Sequence, residues 1–437
     1  MLESLLRVPD LGWDCRQLRP APPQPAAPGA FEDLAGRFAT AQRVGDRVIL
    51  ARDPLGLNKL FFAVHMDAGV IAATYLTDLR GAGVPFEAIY AVPAGTMIEI
   101  APRQQALASR RLHRLRRNGS PGGSDVAAAL HDIRADLACY LGHLAQQFPA
   151  APVAVCLSGG LDSALVAALA AEHFPAITAY TYSFAGTSGP STDVSQALAT
   201  GRRLGLPSRV VEASAADVLA ALPDAIRFGQ DWRDFNVHAA IVNVLLADAI
   251  AHDYPEAGNG SQVLILTGDL MNELLADYAP VRYRGKEYYG LPSVSHDALR
   301  VALVRGIQAG DREVGVFQSR GLTVIQPYAS VFRKLLDLPA ALGKPDVIRG
   351  IAGVVFPPPF YQRAKARAQI GDAEVHGGIL PLLADSGRGS EYLEQLACSI
   401  FGVPGQRALR SFIRAGAYRS CQDFPGRRCG QSRYLQV

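Results

Sequence analysis

One stretch limits this chain more than any other. The apolar run Val153 to Leu157 passes directly into Ser158-Gly159-Gly160-Leu161-Asp162-Ser163, and a helical pattern follows from Ser163 to Glu172. A short apolar run bounded by glycine suits a strand buried on both faces, and such strands need helices over the sheet. Strand and helix patterns then alternate. Ile177 to Phe184 reads as a strand, Val194 to Leu204 as a helix and Ser208 to Glu212 as a strand. Two helices, Ala215 to Arg227 and Val237 to His252, lead to a strand at Val263 to Leu266. Short connections in this order predict an α/β fold with a doubly wound parallel sheet. Beyond about residue 295 the pattern is mainly helical, and no internal repeat is visible.

Upstream the texture differs. Residues up to about 30 are rich in Pro and Ala and show no period. From Arg47, β-like runs follow at Val48 to Ala51, Leu60 to Val64, Val70 to Ala73 and Thr96 to Ile100. With turn residues between them they predict an antiparallel β-rich domain. Arg110, Arg111, Arg114, Arg116 and Arg117 form a basic run, expected to be a solvated strand edge. Asn118 to Ser124 is a flexible linker by composition. The expected organisation is therefore a β-rich domain over 1–117, a linker over 118–124, an α/β domain over 125–415 and a basic tail over 416–437. That tail, with Cys421 and Cys429, is expected to be poorly ordered.

Composition excludes several classes. The chain has 437 residues, 49% apolar and 19% charged, enough for a large core in two domains. A net charge of +3 implies no general attraction to nucleic acid or membranes. The most apolar stretch, Ala239 to Ala251, is short for a bilayer span and carries Asn243 and Asp248. No signal-peptide pattern follows Met1, and the six cysteines form no CxxC pair. The expectation is a cytoplasmic protein without structural zinc.

The loop after Leu157 suits a phosphate. Gly159 and Gly160 permit positive φ and close approach to the backbone, and the following helix offers unpaired N–H groups. Ser158 and Ser163 add hydroxyl donors. Asp162 repels a phosphate unless a magnesium ion lies between them. No GxxxxGK[ST] surrounds the loop, so it is not a Walker A element.

The Ser-Gly-Gly-Leu-Asp-Ser string resembles the signature of the PP-loop pyrophosphatase superfamily, whose members form adenylates from ATP. Three further segments narrow the likeness to asparagine synthetase-like enzymes, a group that includes β-lactam and carbapenam synthetases. Thr267-Gly268-Asp269-Leu270-Met271-Asn272-Glu273 resembles their Ser-Gly-Glu-Gly-x-Asp-Glu. Arg363-Ala364-Lys365 resembles the Arg-x-Lys of their catalytic lysine, with His376-Gly377-Gly378 after it. Ala51-Arg52-Asp53-Pro54-Leu55-Gly56, with Pro93-Ala94-Gly95 downstream, resembles segments of their class II glutamine amidotransferase domain.

The resemblance covers roughly residues 35 to 400. It implies an AMP-forming amide synthetase using ATP and Mg2+, with small-molecule carboxylate and amine substrates. Ser158, Gly159, Gly160, Ser163 and Gly268 would hold the nucleotide, with adenine near Leu157 and Ser183. Asp162 and Asn272 would face the metal. Lys365 would stabilise developing negative charge, and Asp269 or Glu273 would accept the proton.

Some residues depart from the pattern. A class II amidotransferase uses an N-terminal cysteine, and here the chain starts Met1-Leu2 with Cys15 internal. The amidotransferase-like region is thus expected to be degenerate and without glutaminase activity. Asp269 stands where β-lactam synthetases carry Tyr, so β-lactam formation is not assigned. Asn272 replaces a carboxylate, so either Asp269 takes over metal duty or the metal count differs. Trp232 to His238 is expected to be a helix-entry turn capped by Asp234 or Asn236, with an acceptor pocket as the alternative. Cys156 is expected to be a core residue. A tRNA-modifying PP-loop enzyme and a non-catalytic nucleotide-binding partner remain the rival functions, and homo-oligomerisation stays open.

Overall fold

The computed structural model describes residues 11–14, 19–20, 34–44, 46–65, 69–104, 106–111, 125–185, 191–257, 262–362, 377–414 and 416–425. The N-terminal region is antiparallel β, as its alternating patterns imply. In chain order its strands are β1 (Leu11–Asp14), β2 (Arg19–Pro20), β3 (Leu34–Arg37), β4 (Ala39–Val44), β5 (Arg47–Arg52), β6 (Phe61–His65), β7 (Gly69–Ala73), β8 (Tyr90–Ala91), β9 (Thr96–Ala101) and β10 (Ala106–Arg111), with helix α1 (Leu76–Gly81) after β7. They form three small sheets in the orders β2-β1-β3, β10-β9-β5-β4 and β7-β6-β8.

The Arg52 to Lys59 segment is a structural knot. The buried Asp53 carboxylate accepts from the backbone N–H groups of Leu55, Gly56, Leu57 and Asn58, which folds the chain into a tight loop. Arg52, fully buried, donates to the carbonyls of Asn58, Gly56, Val92 and Gln308. A buried guanidinium is tolerable only when its donors are met in this way.

The second part opens with α2 (Val126–Gln147), capped by Asp125. Its parallel sheet comprises β11 (Val153–Cys156), β12 (Ile177–Phe184), β13 (Ser208–Ala213) and β14 (Leu264–Leu266). Helices α3 (Leu161–Ala171), α4 (Thr192–Leu204), α5 (Ala215–Gly229) and α6 (Asp234–Asp253) connect them, and α7 (Met271–Leu275) follows β14. After the hairpin β15 (Val281–Tyr283) and β16 (Lys286–Tyr288) come α8 (His296–Gly310) and α9 (Val314–Gln318). The stretch beyond residue 295 is not only helical. Thr323–Ile325 forms β17, a fifth parallel strand beside β14, too short to leave a periodic signal. Helices α10 (Phe332–Asp337) and α11 (Lys344–Ala352) come next, then α12 (Ile379–Asp385), α13 (Ser390–Phe401) and α14 (Gln406–Phe412). The sheet order is β13-β12-β11-β14-β17, so the chain reverses direction across the sheet between β11 and β14. Ligands bind at the carboxyl ends of strands flanking such a point.

Two further expectations need correction. Residues 416–425 are packed rather than loose: Tyr418 and Cys421 are buried, and Phe424 meets Tyr90 edge-on at 5.3 Å. Aromatic burial against the β region outweighs the basic composition there. The apolar run at 239–251 belongs to the longer α6, which by length and composition alone is sufficient to cross a membrane. It packs instead against α5, α9, β12 and β13 inside the protein. The proposed linker at 118–124 lies outside the described residues.

Candidate functional site

The loop after β11 is built as its residues imply. Gly159 has φ +75°, and a Cβ there would lie 2.3 Å from the carbonyl oxygen of Asp193, so only glycine fits. Gly160, with φ −77°, caps α3. The hydroxyls of Ser158 and Ser163 are 3.1 Å apart, and Ser163 Oγ accepts from Ser158 N–H at 3.1 Å. The loop floors a cavity of about 320 Å³, of a size for a small ligand. One face of α6 forms a mostly apolar wall, with Phe235, Ala239, Val242 and Leu246 at helical spacing and the amide of Asn243 among them.

The end of β14 supplies the opposite wall. Gly268 lies so close to the loop that a Cβ would meet Ser163 N at 2.5 Å. Leu270 is held at φ +85° and Ala276 at φ +54°, so α7 is bracketed by two strained residues. This turn presents Asp269 and Asn272 to the cavity. From the β17 side, Tyr328 Oη donates to the Asp162 carbonyl at 2.8 Å and braces the loop.

A lysine not singled out from sequence occupies the centre. Lys344, at the start of α11, is 8% exposed. Its ammonium lies 2.9 Å from Asp162 Oδ2, 2.8 Å from Asn272 Oδ1 and 2.6 Å from Asp277 Oδ2. Burial pulls its pKa down, but Asp162 and Asp277 outweigh this and hold it above the ordinary lysine value.

Beside it lies a carboxylate-rich cluster. Arg312 is 3.5 Å from Asp269 Oδ2 and 4.0 Å from Glu273 Oε1, with its guanidinium over the Phe235 ring. Glu313 accepts from Thr267 Oγ1 at 2.8 Å and from Gln326 Nε2 at 2.9 Å. One guanidinium cannot neutralise three carboxylates. Burial, then the charges of Asp269 and Asp311, push the Glu313 carboxyl well above the usual range. Glu273 is raised by burial and Asp269. Burial and crowding therefore favour the protonated form of Glu313 and Glu273 more than for an isolated carboxyl.

The cavity gathers most residues singled out from sequence: Leu157, Ser158, Gly159, Gly160, Asp162, Ser163, Gly268, Asp269 and Asn272 all line it. Ser183 is not among the lining residues; Tyr180, Thr181 and Tyr182 of β12 take that wall. Glu273 is turned behind the wall, where Tyr278 Oη donates to it at 2.6 Å, and Glu313 faces the cavity instead. Lys365 and its neighbours Arg363 and His376 lie outside the described residues. Trp232 to His238 does form the entry to a helix, with α6 starting at Asp234, and Phe235 also lines the cavity. The cap position there is Arg233, without a side-chain cap. Cys156 also lines the cavity, and burial pushes its thiol well up, away from the reactive thiolate.

Asp162 and Asn272, the residues expected to face magnesium, both accept from the Lys344 ammonium, which lies between them. Among the described residues no group of three His, Cys, Asp or Glu is arranged to hold a metal. The donor set fits a magnesium ion carried by phosphates and touched by one or two carboxylates, and not an all-protein cage.

The Ser-Gly-Gly-Leu-Asp-Ser loop lies at the reversal point of the parallel sheet and faces Thr267-Gly268-Asp269 across it. Residues 145–305 match the family model for asparagine synthase. The chain is also 32% identical over 255 residues to the carboxyethyl-arginine β-lactam synthase of Streptomyces clavuligerus, covering 55% of this chain and 46% of that protein. It thus spans about half the length of the curated relative it matches. Among solved structures, the NH3-dependent NAD synthetase of Campylobacter jejuni is 16% identical, covering 44% of this chain and 77% of that one, with a TM-score of 0.25. The NMN synthetase of Francisella tularensis is 16% identical, covering 55% of this chain and 98% of that one, with a TM-score of 0.26. At such scores the architecture rests on this chain's own strand order.

Proposed function

We propose that this protein is an ATP-dependent, AMP-forming amide synthetase. It adenylates a small-molecule carboxylate, releases pyrophosphate, and joins the activated acyl group to an amine of the same or a second molecule. The observation that carries this is the convergence, in one cavity, of a phosphate loop, a buried ammonium and a wall of carboxylates around Arg312.

Ser158, Gly159, Gly160 and Ser163 bind the phosphates at the N-terminus of α3. Lys344 lies where charge grows on the α-phosphate and then on the tetrahedral oxyanion, so a preplaced cation there lowers both barriers. Lys365 is proposed as a second such cation. Magnesium, when bound on the ATP phosphates beside Asp162, supplies further charge neutralisation. Asp269 and Arg312 orient the acid and amine at the cavity wall. Glu313 faces the cavity, and its raised pKa makes its carboxylate form a stronger base for the proton released when the amine attacks.

The relative's name supports an amino acid-like carboxylate as the class of acid. Nitrogen from a co-substrate or from the substrate itself rather than from glutamine, a place in specialised metabolism and a cytoplasmic setting belong to the same proposal.

The test is pyrophosphate release from ATP and Mg2+ with a panel of amino acid-like carboxylates. The native chain should show acid-dependent release, and Lys344→Met should lose roughly a hundredfold or more in kcat. No release with any acid, and no ATP binding, would instead favour a non-catalytic role.

A further inference from the structure

Arg312 and Glu313 reach the cavity from a segment, residues 308–315, whose backbone is gripped from outside the parallel sheet. Arg52 Nη2 donates to the Gln308 carbonyl at 2.9 Å, and Ala94 N–H to Gln308 Oε1 at 3.4 Å. Lys59 Nζ donates to the carbonyls of Asp311 and Gly229. Tyr75 Oη donates to the Gly315 carbonyl at 2.8 Å. All four donors belong to the N-terminal β region, and they close on both sides of the Arg312-Glu313 pair.

The fit is tight. A Cβ on Gly315 would lie 2.2 Å from the Phe228 carbonyl oxygen and 3.4 Å from the Tyr75 ring. Lys59 is 3% exposed, and an ammonium buried that deeply is costly unless its protons are taken. From Asp311 the contacts continue inward. Gln326 Nε2 lies 3.4 Å from Asp311 Oδ1 and donates to Glu313 Oε2 at 2.9 Å, the oxygen that also accepts from Thr267. Polar contacts thus link Lys59, through the backbone and then the side chain of Asp311, to a carboxyl on the cavity wall.

We propose that the N-terminal β region is a positioning element of the synthetase site: Lys59 and Tyr75, through the backbone of residues 311–315, hold Glu313 and Arg312 in register with the phosphate loop. This rests on the adenylating function proposed above. It gives the β region a role that needs no glutamine chemistry. Neither side chain lines the cavity, so each acts through Glu313 and Arg312 and not on substrate.

The experiment makes Lys59→Met and Tyr75→Phe in the full chain, each alone and combined with Glu313→Gln. Each single variant should lose roughly ten- to a hundredfold in kcat for pyrophosphate release, since small misplacements of catalytic groups have effects of that size, while KM for ATP stays within about twofold. In the Glu313→Gln background the same substitutions should cost clearly less in kcat, because one of the two groups they position is gone and only Arg312 is left to misplace. Unchanged kcat in both single variants, or an undiminished extra loss in the Glu313→Gln background, would overturn the proposal. Amide hydrogen exchange over residues 311–317 reads the contact without turnover. Faster exchange there with α3 unchanged supports it, and unchanged exchange refutes it. If the native chain releases no pyrophosphate with any acid, the adenylating function fails, and the exchange result decides the positioning contact alone. Should Lys59→Met fail to fold, Tyr75→Phe decides by the same criteria.

Discussion

His238 shows how one buried side chain ties stability to pH. It lies on α6 with Nδ1 2.8 Å from Tyr289 Oη, and burial pulls its pKa down to about 3. The folded chain keeps this imidazole neutral, whereas the unfolded chain protonates it below about pH 6.5. Its contribution is therefore whole above 6.5 and is lost as pH falls toward 3, at about 1.4 kcal/mol per pH unit. Asp53, raised to about 6 mainly by burial, works in the opposite sense between about 3.8 and 6. The informative quantity is thus the difference between variants. Urea midpoints from pH 7 to pH 5 should fall less in His238→Gln than in the native chain, and equal slopes would remove His238 as the source. Sequence reasoning reached the phosphate loop because six clustered residues carry its geometry. It missed Lys344 because Gly343-Lys344-Pro345 looks like any helix start. It missed Glu313 because nothing local marks a carboxylate whose partners, Thr267 and Gln326, lie 46 and 13 positions away.

Among the elements, the contact between β14 and the phosphate loop is the most demanding. Gly268 faces the backbone of Ser163 and Asp162, atoms that no rotamer change can move aside. Gly268→Ala must push the turn after β14 away from the first turn of α3, at a cost of about 1–3 kcal/mol for forced overpacking. The expected outcome is a fall in pyrophosphate release of roughly a hundredfold, from displacement of the loop. Gly81→Ala, with nothing within 4 Å of the added methyl, should leave release unchanged. Equal behaviour of the two variants would show that the contact is slack. The elements themselves were legible where they are long: α3 to α6 and β12 follow from apolar periodicity. β17 was not, because three residues carry no period, and what makes Thr323–Ile325 a strand is the edge of β14 waiting for it.

At the scale of the whole molecule, the β7-β6-β8 sheet and the parallel sheet share one apolar core, in which Phe61, Leu76 and Phe86 join residues of α2, α5 and α14, while Leu50, Ile98 and Leu107 of the β10-β9-β5-β4 sheet pack in a second cluster. Binding at the phosphate loop should therefore stabilise both parts together. ATP with Mg2+ at about a hundred times its Kd should add about 2.7 kcal/mol and raise a single cooperative melting transition. Two transitions, only one of them shifted, would show that the parts unfold independently. The position of α6 within this core bears on how the chain is made. During synthesis it emerges as 20 mostly apolar residues before α9, which later covers part of it, has left the ribosome. Until then the nascent chain exposes a segment that a membrane or a chaperone would accept as readily as its own sheet does, so the order in which the chain appears sets how long that risk lasts.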